Sequence, residues 1–317
     1  MREHDEYDYE SAFDDVQDTL RRGKRKMRTD DRARTGRLTE EERSTLARLR
    51  EDAVSAPDTP EGADRWSTWG DADHGPTPRP DWVITDLGAA DRELGIIKTG
   101  KEADVHLVER STPDQSCLMA AKRYRGSDHR MFHRDAGYLE GRRMRRSREM
   151  RAMSNRSSFG RNLIAEQWAV AEFAALSRLW LLGAPVPYPV QRSGTELLLE
   201  FLGDADGTAA PRLAQLRPDP DELVDLWSQL VGTLTMLAAE GVAHGDLSAY
   251  NLMVHEGRLI LIDLPQVVDL VANPKAESIL ERDVHNVSTW FTTRGLAPEL
   301  ADHHELMVVL VDAAGLN

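Results

Sequence analysis

The chain carries one cysteine, Cys117, among 317 residues. That excludes a disulfide within the chain and a multi-cysteine zinc site, and it leads us to expect a reducing, cytosolic setting. No run of about 18 apolar residues occurs, so no membrane span is expected. The first ten residues, MREHDEYDYE, have no apolar signal core, and secretion is not expected. Aromatic residues are scarce at 6%, which implies that part of the chain lacks a core. Cations are outnumbered, 40 Lys and Arg against 54 Asp and Glu, for a formal charge of −14. Such a balance argues against a protein that coats nucleic acid over its whole surface.

What is present is unevenly spread. Residues 121–161 hold 13 Lys/Arg and only 4 Asp/Glu, so an acidic body carries one strongly basic stretch. Residues 1–80 open acidic, pass through the cluster RRGKRKMRTDDRAR, and include five prolines between 57 and 80. With few branched aliphatics they bury too little apolar area to offset chain entropy. They are expected to form a largely disordered extension with short helices at most. Trp66, Trp69 and Trp82 stand out there, either stapling the linker to a folded body or docking a partner. From residue 81 the texture changes. ELGIIKTGKEADVHLVER reads as strand, glycine turn, strand, and CLMAAKRYR as a further strand. LIAEQWAVAEFAALSRLWLLG reads as a long helix with Leu163, Trp168, Ala171, Ala175, Leu179 and Leu182 at helical spacing, stopped at Gly183. A strand TELLLEFLG, a second long helix from Pro220 to Gly241, two short strands and two closing helices follow. The length fits about two domains or one bilobed domain. An α+β, bilobed architecture is expected: a strand-rich lobe over 81–199, a linker at 200–203, and a helical lobe over 204–317, with the site in the cleft between them.

HGDLSAYN, from His244 to Asn251, is followed after a strand by LIDL with Asp263. Phosphoryl transfer from ATP needs these groups: a carboxylate to take the proton of the attacking hydroxyl, and an amide oxygen and second carboxylate to hold magnesium against the triphosphate. Lys122, late in a strand, suits the α- and β-phosphates, and Glu172 on the following helix suits the pairing of that lysine. The turn Thr99-Gly100-Lys101-Glu102-Ala103 would cover the phosphates. It has one glycine and does not match a Walker A loop. Glu200-Phe201-Leu202 would place backbone groups against an adenine edge.

With these residues in view, the chain resembles the RIO family of atypical serine/threonine protein kinases. Its turn KTGKEAD looks like that of the subfamily reading STGKEA. HGDLSAYNLMV resembles the family's catalytic loop, LIDLPQVVD its metal loop, LLLEFLGDADGTAAPRL its linker and continuation, and NPKAESILERDVHNVSTWF its terminal helix. The resemblance covers roughly residues 82–296. It implies a protein-kinase-like fold without the activation loop and late helices. The 54 residues after Asp263 leave little room for them. It also implies ATP with Mg2+ (or Mn2+), Asp246 as base, Asn251 and Asp263 as metal ligands, Lys122 and Glu172 at the phosphates, and Glu200 and Leu202 at adenine. An aspartyl-phosphate at Asp263 is implied as well.

Three departures from the family pattern stand out, the first bearing on substrate and the last on the geometry of the glycine turn. HGD is a form shared with small-molecule phosphotransferases. Gly245 leaves no arginine to pair with an activation-loop phosphate. Asp104-Val105-His106 stands where Asn-Val-Tyr is typical of the family. The basic stretch 126–161, with ten arginines, is either a solvated loop or a landing surface for RNA, a ribosomal particle or another acidic partner. Ser147, Ser154, Ser157 and Ser158 within it are candidates for self-phosphorylation. The readings therefore stand as a cytoplasmic protein kinase, an ATPase-type conformational switch, or a small-molecule kinase.

Overall fold

The computed structural model describes residues 59–125 and 158–316. The expected extension up to residue 58, and most of the basic stretch with Ser147, Ser154 and Ser157, lie outside the described residues.

Three long hairpin strands build the N-terminal lobe: β3 (Ala90–Thr99), β4 (Ala103–Ser111) and β5 (Ser116–Tyr124). With β6 (Pro189–Ser193) and β7 (Glu196–Glu200), they form most of a seven-stranded antiparallel sheet of order β1-β3-β4-β5-β7-β6-β2. The two edge strands, β1 (Arg65–Trp66) and β2 (Asp73–His74), come from before residue 81. The folded body therefore reaches back to residue 59, where the sequence suggested a start at 81. Its prolines and short strands hid an edge-capping role, since two-residue strands carry no periodic signal. Trp69 is buried with Val108, Met119, Tyr188 and Leu198, and Trp82 packs on the same cluster. These tryptophans staple the segment to the sheet.

Helix α1 (Ser158–Leu181) crosses the sheet. Its buried residues include Ala165, Ala169, Ala171, Glu172, Phe173, Leu176 and Leu179, so of the face read in the sequence Ala171 and Leu179 are buried, whereas Leu182 is exposed. The helix is apolar on several sides, so periodicity alone could not choose the face. It ends at Gly183, whose positive φ of 77° lets the Ala184 amide turn back to the Leu179 carbonyl at 3.0 Å.

The C-terminal lobe begins with α2 (Pro220–Ala239). Asp219 caps it by accepting from the Asp221 and Glu222 amides, and Pro220 supplies a ready φ at the first turn. Then come β8 (Val242–Ala243), the hairpin β9 (Leu252–His255) and β10 (Arg258–Leu261), and β11 (Val268–Asp269), which pairs with β8. Helices α3 (Ala276–Thr293) and α4 (His303–Ala313) close the lobe. One apolar cluster runs from Phe173, Leu176, Leu197 and Leu199 to Leu226, Leu230, Leu247, Leu261 and Phe291, so both lobes share a core. The α+β bilobed reading holds.

Candidate active site

Strand alternation points Lys122 and Tyr124 to the same face of β5. There Lys122 Nζ donates to Glu172 Oε1 at 2.6 Å and to Asp263 Oδ1 at 2.7 Å. The three residues are 50 and 141 positions apart, and they meet as the sequence spacing suggested. Glu172 is 1% exposed, a carboxylate inside a core stripe. It is satisfied three ways: by Lys122, by the Tyr124 hydroxyl at 2.5 Å, and by the Leu264 amide at 3.1 Å. Glu172 thus fixes both the lysine and the backbone just past Asp263. Asp263 itself has φ 67°, a conformation uncommon for a non-glycine residue. The charge of Lys122 holds its carboxyl down at about 2. Burial opposes the charge on Lys122, but its two carboxylate partners raise the ammonium above the usual lysine range.

Asp246 and Asn251 come from the loop between β8 and β9. Asn251 Nδ2 donates to the Asp246 carbonyl at 2.8 Å, and the Asn251 carbonyl accepts from the Ile262 amide at 3.0 Å. The first bond leaves Oδ1 as the amide's acceptor end. An amide oxygen and a carboxylate such as that of Asp263 are the hard donors that magnesium prefers. His244 accepts from the Asp246 amide at Nδ1 (3.3 Å), while Nε2 meets the Ile262 carbonyl at 3.1 Å. The loop that carries Asp246 and Asn251 is therefore tied to the segment that carries Asp263 through the Ile262 backbone.

Sequence reading passed over what holds this loop. Asp283 on α3 is 1% exposed and accepts from the Gly245 amide at 2.6 Å and the Leu247 amide at 3.0 Å. Its neighbours Arg282 and Asn286 donate to the Gly245 and Leu247 carbonyls. Burial pushes the Asp283 carboxyl up. Gly245 has φ 86°, and a Cβ there would lie 2.2 Å from the Gln266 carbonyl oxygen. Close backbone approach, beyond the missing arginine, demands glycine. The i, i+1, i+4 spacing of 282, 283 and 286 was the available signal.

The turn at Thr99, Gly100 and Lys101 joins β3 to β4, closed by the Gly100 amide on the Ala103 carbonyl at 3.0 Å. The departure at Asp104 has a use: that carboxylate pairs with Arg125. In the linker, the Glu200 amide donates to the Tyr188 carbonyl at 2.8 Å, and the Leu202 carbonyl accepts from Ala210 at 2.8 Å. The Glu200 carboxylate accepts from the Tyr188 amide at 2.9 Å. It lines a cavity of about 300 Å3 with Trp180, Val186, Leu202, His255 and Arg258. Lys122, Asp246, Asn251 and Asp263 do not line that cavity.

Two further cations face the Lys122–Asp263 pair. Lys98, at the end of β3, is held below the usual lysine range by desolvation and by Arg212 and Lys122 nearby. Desolvation likewise lowers half-buried Arg212, while the charge of Asp263 works the other way.

Comparison with known proteins finds one matching family and a set of relatives. A family model described as RIO domain matches residues 118–305. The matched stretch starts after the glycine turn. The chain is 33% identical over 210 residues to the RIO-type serine/threonine-protein kinase Rio1 of Haloferax volcanii, covering 66% of each. It is 30% identical over 218 residues to the serine/threonine-protein kinase rio1 of Schizosaccharomyces pombe, covering 68% of this chain and 41% of that one. It is 30% identical over 236 residues to the serine/threonine-protein kinase RIO3 of Caenorhabditis elegans, covering 73% of this chain and 42% of that one. The aligned part is thus below two-thirds of each relative's own length.

Proposed function

The chain belongs to the RIO domain family, and on that premise we propose that it is an ATP- and Mg2+-dependent serine/threonine protein kinase that phosphorylates itself and a protein substrate. The observation that carries the reading is the bridge from Lys122 to both Glu172 and Asp263. It sits beside a catalytic loop whose Asn251 is tied to Asp246. In this reading Lys122 binds the α- and β-phosphates, and Glu172 and Tyr124 hold it in place. Asp246 takes the proton of the attacking hydroxyl. Asn251 Oδ1 and the Asp263 carboxylate would hold the metal, for which Mn2+, also suited to carboxylate and carbonyl oxygens, is a substitute. When bound, the metal would supply charge neutralisation at the phosphate oxygens. The Glu200 carbonyl and Leu202 amide are assigned to adenine, and Thr99, Gly100 and Lys101 to covering the phosphates. By charge, the basic stretch 126–161 suits RNA, a ribosomal particle or another acidic partner, and a cytoplasmic setting belongs to the same proposal.

A second reading is favoured by one observation. Only residues 264–275, including β11, separate Asp263 from α3, where protein kinases of ordinary size carry a substrate-docking segment. That supports an ATPase-type switch in which Asp263 receives the phosphoryl group. Phosphosite mapping after incubation with ATP and Mg2+ separates the two. Phosphate on serine or threonine supports the kinase. A hydroxylamine-labile phosphate on Asp263 supports the switch. Phosphate on neither residue type removes both readings.

A further inference from the structure

Lys122 bonds to Asp263, and Lys98 and Arg212 lie within reach of its charge; the proposed chemistry uses only the first. Lys122 is committed to Glu172 and Asp263. Lys98 and Arg212 pair with no carboxylate among the described residues. Desolvation first, and then the charges of Arg212 and Lys122, hold the Lys98 ammonium below the usual lysine range. Among the described residues, Asp263 is the one carboxylate whose charge reaches all three, and Lys122 already bonds to it, so an anion entering between Lys98 and Arg212 would meet excess positive charge.

The backbone fixes where that anion would sit. Arg212 lies in the segment that follows the linker, where it forms an isolated antiparallel bridge with Met253 on β9. Its Nη1 donates to the Tyr250 carbonyl at 2.5 Å. Tyr250 precedes Asn251, so the guanidinium is pinned beside the loop that carries Asp246 and Asn251. A guanidinium has five N–H donors in a rigid fork, and one of them meets Tyr250. Lys98 comes from the other lobe, two residues before Gly100, at the root of the glycine turn. The two cations therefore come from opposite lobes: Arg212 is pinned beside the loop that carries Asp246 and Asn251, and Lys98 lies within reach of the charges of Arg212 and Asp263. Lys122, tied back to α1, serves the inner end.

We infer that Arg212, assisted by Lys98, is a γ-phosphate contact that lets this site discriminate a nucleoside triphosphate from a diphosphate. The inference rests on the reading of the cleft as an ATP site and names a specificity-determining residue within it. Arg212 also supports the Tyr250 carbonyl, so a purely structural role has to be separated from recognition of the phosphate.

The test titrates the full chain with Mg2+ and either a non-hydrolysable ATP analogue or ADP, by calorimetry. It compares wild type with Arg212→Gln, Arg212→Lys and Lys98→Gln, with thermal unfolding of each. Gln keeps an N–H for Tyr250 and loses the charge. Arg212→Gln is expected to weaken triphosphate binding about 10-fold or more, the scale of one charge-assisted hydrogen bond, and to leave ADP within about 2-fold. Arg212→Lys should fall between wild type and Arg212→Gln, and Lys98→Gln should show the same selectivity at smaller size. Equal loss for both nucleotides, or no loss, in a variant that unfolds like wild type overturns the inference. If Arg212→Gln fails to fold, an unchanged triphosphate preference in Arg212→Lys overturns it. Wild type that binds neither nucleotide would instead overturn the ATP-site reading itself.

Discussion

Lys122 stands between two carboxylates, and its removal affects them unequally. Asp263 is 39% exposed and can find water, while Glu172 is 1% exposed and cannot. Lys122→Met strands Glu172, although Tyr124 and the Leu264 amide still donate to it. We expect a loss of about 3 kcal/mol, the lower end for breaking a buried pair, read by urea unfolding. ATP turnover should fall by roughly 100-fold or more as phosphate charge loses its partner. The Asp263 carboxyl gives a pH signature. Its folded pKa is about 2 against an ordinary 3.8, so its contribution is fully present above the ordinary value and is lost as pH falls through the folded one. The Tm gap between wild type and Asp263→Asn is therefore expected to narrow as pH drops from about 4 to about 2. A gap that stays constant over that range would contradict the ion pair. At this scale, Lys122, Glu172, Asp246, Asn251 and Asp263 were legible because their order and spacing repeat a chemical requirement. Tyr124 was legible in principle, two residues on from Lys122 along a strand, but hydroxyl-to-carboxylate satisfaction appears only when the helix is docked.

Helix α3 shows what one element does for another. Through Arg282, Asp283 and Asn286 it grips the backbone of residues 245–247, so the loop that carries Asp246 is positioned by side chains 36–39 residues later in the chain. Asp283→Asn would present an amide N–H to one of two donors. The expected cost is about 1–3 kcal/mol for each amide left without an acceptor. Because Asp246 lies between those two amides, turnover should drop more than nucleotide affinity. Steady-state kinetics beside ADP binding would check this, and parallel losses would argue for a merely structural helix. The long elements were readable: α2 from its Pro220-Asp221 start, and the β3–β4 and β9–β10 strands from alternation and turns. β6, which reads PVQRS, and the two-residue strands were not, because sheet neighbours rather than local preference define them.

For the molecule as a whole, the folded body includes residues before 81. They supply both edges of the seven-stranded sheet and bury Trp69. A chain that starts at residue 82 loses those edges and that side chain. Removing a buried tryptophan alone costs about 3–5 kcal/mol, so its Tm should lie roughly 6–15 °C below that of a chain starting at 59. Equal melting would contradict the edge assignment. The sequence set the border at 81 because composition changes there, whereas sheet membership depends on pairing with strands as far away as β6. The shared core brings Lys122, Glu172 and Asp263 to one point, with Asn251 and Asp246 joined to them through the Ile262 backbone. The account depends on that point being where a magnesium triphosphate reacts. The most direct test is the rate of ADP formation from ATP by the full chain, with and without Mg2+, in wild type and in Asp263→Ala. Turnover that requires Mg2+ and vanishes in Asp263→Ala is the predicted result. Turnover in Asp263→Ala equal to wild type, or none in wild type, would contradict it.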